Sequence, residues 1–116
     1  MTQQKLIEFA HNNSVAVTAY SPLGEGHLLK DPTLVSIGQK HNKTAAQVAL
    51  RYQIERNVIV IPKSTHNNRI DENFHIFDFS LSQDQIKKID GLNKNRRLID
   101  PIKAKNHKYY PFKEPY

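Results

Sequence analysis

Apolar positions recur along this chain at two different periods, and their alternation predicts a helix–strand–helices–strand–helices order. Leu6, Ile7, Phe9 and Ala10 lie at helical spacing, so a helix is expected from Gln3 to about His11, ended by a left-handed residue at Asn12-Asn13. Val15 to Tyr20 is short, apolar and β-branched, which predicts a buried strand. Ser21-Pro22-Leu23-Gly24-Glu25-Gly26 is a cluster of turn residues. Asp31-Pro32 supplies an N-cap and a first helical residue for a helix running through Leu34 and Ile37 to about Lys40. Thr44 caps the next helix, which buries Ala45, Val48, Ala49 and Tyr52 at i, i+3, i+4 and i+7 and ends near Asn57. A second buried strand spans Val58 to Ile61 and stops at Pro62. The helix after it is expected to place Ile70, Phe74 and Phe77 on one side. The last helix starts at Ser82, where Ser82 and Gln85 make a capping box and Leu81 and Ile86 a hydrophobic staple; Ile86, Ile89 and Leu92 face inward. Little regular structure is expected beyond Asn93.

Both strands are continuous apolar runs separated by helices, which argues for parallel neighbours in a βαβ unit. A length of 116 residues permits one small domain, whereas a complete eight-stranded barrel needs about 250. With 38% hydrophobic and 24% charged residues, a folded core is possible. The chain has no cysteine, which excludes disulfides and thiolate metal sites, and its six histidines show no metal-binding spacing, so no metal is expected. No apolar run approaches the roughly 20 residues that span a bilayer, and no apolar signal segment opens the sequence, so a cytoplasmic, membrane-free protein is expected.

Net charge changes the picture only at the C-terminus. Of the six net positive charges, five fall in residues 94–116, where Lys94, Arg96, Arg97, Lys103, Lys105, Lys108 and Lys113 face only Asp100 and Glu114. Residues 1–93 are therefore read as the folded part and 94–116 as a basic loop or tail. Such a tail, with Tyr109, Tyr110, Phe112 and Tyr116 interleaved, could contact nucleic acid. A solvated irregular segment is the preferred reading, and nucleic-acid binding is not expected.

The chemistry concentrates in Ile61-Pro62-Lys63-Ser64-Thr65-His66-Asn67-Asn68-Arg69-Ile70-Asp71-Glu72-Asn73. A strand end, a polar turn and a helix start place free N–H groups and the positive end of a helix dipole together. A lone lysine at a strand end is ordinarily a solvated charge. With Ser64, Thr65 and Arg69 in the same turn, Lys63 reads instead as part of a phosphate pocket, and two cations favour a phosphomonoester over a diester.

This segment resembles the C-terminal signature of the aldo-keto reductases, NADPH-dependent carbonyl reductases built on a (β/α)8 TIM barrel. Four further stretches match in the same order: Val15 to Gly24, His41 to Arg51, Asn73 to Leu81, and the tail around Tyr110-Pro111-Phe112. The resemblance implies the C-terminal part of such a barrel, its last two strands with their helices and the C-terminal loop. It implies NADP(H) as cofactor, with Lys63, Thr65 and Arg69 on the 2′-phosphate and Glu72 and Asn73 at the adenine. Arg69 and Asn73 stand at i, i+4 on one helix face. Ser21 and Leu23 would meet the pyrophosphate, although their turn could be only a turn. Tyr20 would form the nicotinamide floor or, equally, be a core tyrosine. Residues 94–116 would be the loop at the barrel mouth that shapes the pocket for a small carbonyl substrate. Substrate identity and oligomeric state are left open.

The resemblance also implies what to expect of activity. The family's catalytic tyrosine, lysine, aspartate and histidine come from the front of its sequence, and the five tyrosines here match none of those positions. The expectation is a piece of a reductase that binds cofactor, is inactive alone, and folds marginally or self-associates because two parallel strands expose both edges. The alternative is a non-catalytic short form that binds a nucleotide or partner through the clamp or the basic tail. Three departures from the family pattern stand out: His66 for a small polar residue, Asn67 for the proline that starts the helix, and the acid Glu25 near the expected pyrophosphate.

Overall fold

The computed structural model describes residues 2–96, 98, 101 and 104–110. The chain runs α1 (Gln4–Asn12), β1 (Val17–Ala19), a 3-10 turn at Gly24–Gly26, α2 (Pro32–His41), α3 (Ala45–Glu55), β2 (Val58–Val60), α4 (Asn67–Phe74) and α5 (Gln83–Asp90). β1 and β2 pair in parallel, Val17 opposite Val58 and Ala19 opposite Val60, in an unclosed two-stranded sheet. Parallel pairing follows from the chain path, because α2 and α3 carry the backbone from the end of β1 back to the start of β2.

Local chemistry fixes where the helices begin. Asp31 Oδ1 accepts from the N–H groups of Thr33 at 2.9 Å and Leu34 at 3.3 Å, with Pro32 opening α2. Thr44 and Gln47 form a reciprocal capping box on α3, and Ser82 and Gln85 form one on α5. α1 ends in a double backbone closure, in which Val15 N–H reaches Ala10 O at 2.8 Å and Ser14 N–H reaches His11 O at 3.0 Å. The left-handed residue of that closure is Ser14 (φ 58°), not the Asn12 or Asn13 expected from sequence.

The core lies among helices. Leu34 and Ile37 of α2, Ala45, Val48, Ala49 and Tyr52 of α3, then Leu81 and Ile89 form one buried cluster. Ile86 and Leu92 pack against it, as the α5 pattern predicts. The Tyr52 hydroxyl donates to Asp90 Oδ1, and the Arg56 guanidinium lies 4.9 Å from the Tyr52 ring centre. Burial, then its hydrogen bond to Asp90, push the Tyr52 pKa well above its ordinary value; Arg56 opposes the shift.

Two expectations about burial are corrected. The strand predicted over Val15–Tyr20 is shorter, and Val15 and Tyr20 are exposed, as are Ile59 and Ile61 around β2. Each strand has a neighbour on one side only, so side chains suited to a barrel interior have nothing to pack against. The apolar side of α4 is exposed for the same reason: Ile70, Phe74 and Phe77 face solvent, and Ile76 is the residue of this region that is buried.

Beyond α5 the described residues form turns, bends and irregular backbone. Arg97, Asp100, Lys103, Phe112, Lys113, Glu114 and Tyr116 of the basic tail, with Pro111 of the fifth matching stretch, lie outside the described residues. No helix among the described residues is long and apolar enough to cross a membrane.

Candidate functional site

Two loops meet beside the C-terminal ends of the parallel strands. The first leaves β1 and turns sharply through Ser21 (φ 47°), Gly24 (φ 57°), Glu25 (φ 54°) and Gly26 (φ 89°). Left-handed backbone at four positions within six residues folds the loop onto itself, with Gly24 N–H on Ser21 O at 2.9 Å and Gly26 N–H on Leu23 O at 3.1 Å. Gly24 carries a second constraint, since a Cβ there would stand 3.0 Å from the Leu98 side chain.

The second loop leaves β2 as Ile61-Pro62-Lys63-Ser64 and turns into α4. Ser64 Oγ accepts from His66 N–H at 3.1 Å, which closes the turn. α4 begins at Asn67, where the family pattern has its proline, and no side chain caps it at His66. Arg69 N–H donates to His66 O at 3.0 Å, so the first-turn N–H groups left for another acceptor are those of Asn67 and Asn68. Arg69 sits in that first turn, and Glu72 and Asn73 follow one turn later on the same side.

Between the loops lies a cavity of about 440 Å³. Seven of the nine residues nominated from sequence line it: Ser21, Leu23, Lys63, Ser64, Arg69, Glu72 and Asn73. Pro22, Gly26, Leu29 and Ala46 line it too and carry no signal in the sequence beyond their neighbourhood. Tyr20 and Thr65 do not line it. Tyr20 follows β1 and is 56% exposed, and the Thr65 hydroxyl lies 3.4 Å from His66 Nδ1.

The wall carries charge of both signs. Lys63 and Arg69 are its cations, and Glu25 and Glu72 its anions. Glu72 is not free to act as a bare charge, because its Oε1 accepts from the Thr44 hydroxyl at 2.6 Å. Glu25 has no such partner among the described residues. Such a wall offers two cations, two hydroxyls and a carboxamide to an anionic polar ligand, and no tyrosine or histidine belongs to it. Among the described residues no group of three or more His, Cys, Asp or Glu stands close enough to hold a metal ion.

Known proteins identify the family. Residues 1–94 match the model of the aldo/keto reductase family. Aldo-keto reductase family 1 member D1 of Oryctolagus cuniculus is 44% identical over 126 residues, covering 99% of this chain. This chain spans 39% of the length of that relative. Among solved structures, the aldose reductase of Schistosoma japonicum superposes with a TM-score of 0.92 at 43% identity, over 97% of this chain and 37% of that one. An aldo-keto reductase of Bombyx mori, solved in complex with NADP, superposes with a TM-score of 0.88 at 38% identity, over 95% of this chain and 39% of that one. The unclosed sheet and its helices are thus part of a TIM barrel, its last two strands with the segments that follow them. The chain belongs to the aldo/keto reductase family.

Proposed function

We propose that this chain is the NADP(H)-binding C-terminal part of a cytoplasmic reductase that converts a small aldehyde or ketone to the alcohol. The observation that carries this reading is the cavity: seven nominated residues, from two separate loops and the helix α4, line one space at the C-terminal ends of the parallel strands. That end of a TIM barrel is where its active sites and phosphate sites lie.

The donor set suits the cofactor. Lys63 and Arg69 supply charge to a 2′-phosphate, which an unphosphorylated ribose would not use, so a preference for NADPH over NADH follows. The uncapped first turn of α4 adds backbone donors. In this reading Asn73 and the second oxygen of Glu72 serve the adenine. Ser21 Oγ and the Leu23 N–H serve the pyrophosphate, and Glu25 opposes it by repulsion. Tyr20, exposed at the end of β1, offers a flat face to the nicotinamide. Thr65 adds a hydroxyl at the phosphate end. When bound, the cofactor supplies hydride to a carbonyl carbon. The cavity wall contains no tyrosine or histidine to protonate the resulting oxygen, so binding without turnover is expected from these 116 residues.

Fluorescence titration of the purified chain with NADPH and NADH tests the reading. NADPH should bind more tightly, and Lys63→Ala and Arg69→Ala should each weaken it about tenfold or more, in line with about 1.5–3 kcal/mol for a charged hydrogen bond. Equal affinity for the two cofactors, or indifference to both substitutions, would overturn it. A carbonyl reductase rate above background would overturn the expectation of inactivity.

A further inference from the structure

We propose that the capping box of α3 is the positioning layer of this cavity: Gln47 holds α4 in place, and Thr44 holds the Glu72 carboxylate. The inference rests on the nucleotide reading above. Gln47 is only 6% exposed and does not line the cavity. Its Oε1 accepts from Thr44 N–H at 2.9 Å, which completes the capping box. Its Nε2 donates to Glu72 O at 3.0 Å and to His75 O at 3.1 Å, at the C-terminal end of α4. These partners fix the amide orientation. Turned over, it would set an oxygen against two carbonyls and an NH2 group against an N–H.

Thr44 works the same seam from the other side. Its Oγ1 accepts from Gln47 N–H at 3.2 Å and donates to Glu72 Oε1 at 2.6 Å. One carboxylate oxygen of Glu72 is engaged, and the other remains for a ligand. Lys43 adds a third tie, with Nζ donating to His75 O at 3.1 Å.

These ties matter because α4 has no apolar anchor. None of its residues is buried, and Ile70 and Phe74 are 54% and 72% exposed. A helix that buries nothing is held by its polar contacts, and α4 carries Arg69, Glu72 and Asn73. A shift of an ångström at the clasp would carry all three away from a bound nucleotide.

Gln47→Glu tests this, because it keeps the cap acceptor and removes both donors. Gln85→Glu makes the same change in the capping box of α5, away from the cavity. Both variants should lose thermal stability, Gln47→Glu the more, because its buried carboxylate would face two carbonyls. Only Gln47→Glu should weaken NADPH binding, about tenfold, with faster amide exchange across Arg69–Phe74. Its deficit relative to the parent should narrow at acid pH, where a protonated Glu regains a donor. Parent-like affinity in Gln47→Glu, or an equal loss in Gln85→Glu, overturns the proposal. If Gln47→Glu does not fold, Thr44→Asp keeps an N-cap acceptor and loses the donor to Glu72; undiminished NADPH binding there overturns the proposal equally. A parent chain that binds no NADPH removes the nucleotide reading and this inference together. Binding that survives both substitutions removes this inference alone.

Discussion

A methyl group on Gly38 would stand 2.4 Å from the carbonyl oxygen of Lys43. The chain doubles back there: Asn42 is left-handed (φ 56°) and Lys43 N–H donates to Gly38 O at 2.8 Å. The obstructing atom is backbone, so no side chain can swing aside. Gly38→Ala should lower stability by about 1–3 kcal/mol, read as a drop in the urea midpoint. An unchanged midpoint would show that the turn relaxes freely. Tyr52 makes a different prediction. Its folded pKa is raised above the ordinary 10.0, so it stays protonated in the folded state where the unfolded chain ionises. Its contribution is full below about pH 10 and is lost as pH climbs from there toward the folded value. The parent should therefore lose stability above pH 10 more steeply than Tyr52→Phe; parallel curves would refute this. Asp78 behaves oppositely: the hydrogen bond from Lys43 lowers its pKa, so its contribution is present above the ordinary carboxyl range and fades in acid.

At the scale of elements, the starts of α2, α3 and α5 were legible because a cap is a local event. Asp31-Pro32, Thr44 and the Ser82/Gln85 pair each announce a helix within four residues, and the structure puts each helix there. Ser82→Ala should cost about 1 kcal/mol, measured as a lower Tm, and no change would mean that Leu81 and Ile86 alone hold the start. Burial was less legible. The run Val15–Tyr20, or Ile70, Phe74 and Phe77 on one helix side, states that a side chain suits an interior, while what covers it is a tertiary matter. Ser14 took the left-handed site from Asn13 because helix length, not residue preference, decided which position closes α1. The cavity was largely legible because the residues after β2 are contiguous, so strand, turn and helix bring them together. Gln47 was not legible as part of the site. Its partners lie 25 and 28 residues further on, a distance that no local spacing encodes.

For the whole molecule, the dominant fact is the apolar surface left around the sheet. Val15, Ile59 and Ile61 are exposed on or next to the two strands, each of which has one unpaired edge, and Phe74 and Phe77 are exposed on and after α4. The purified chain should self-associate with rising concentration, seen by light scattering. Ile59→Lys with Ile61→Lys should suppress it, and a monodisperse monomer at high concentration would refute the expectation. The placement of the core also bears on the order of folding. α2 and α3 are joined by a short turn, and α5 completes their cluster without any strand. Contacts between neighbours in sequence close small loops and form quickly, while the β1–β2 pairing must wait for the intervening helices to settle. Substitutions at Leu34 or Val48 should thus slow refolding, and those at Val17 or Val58 should mainly hasten unfolding. In kinetic terms the helical layer is the scaffold on which the β1–β2 pairing is assembled.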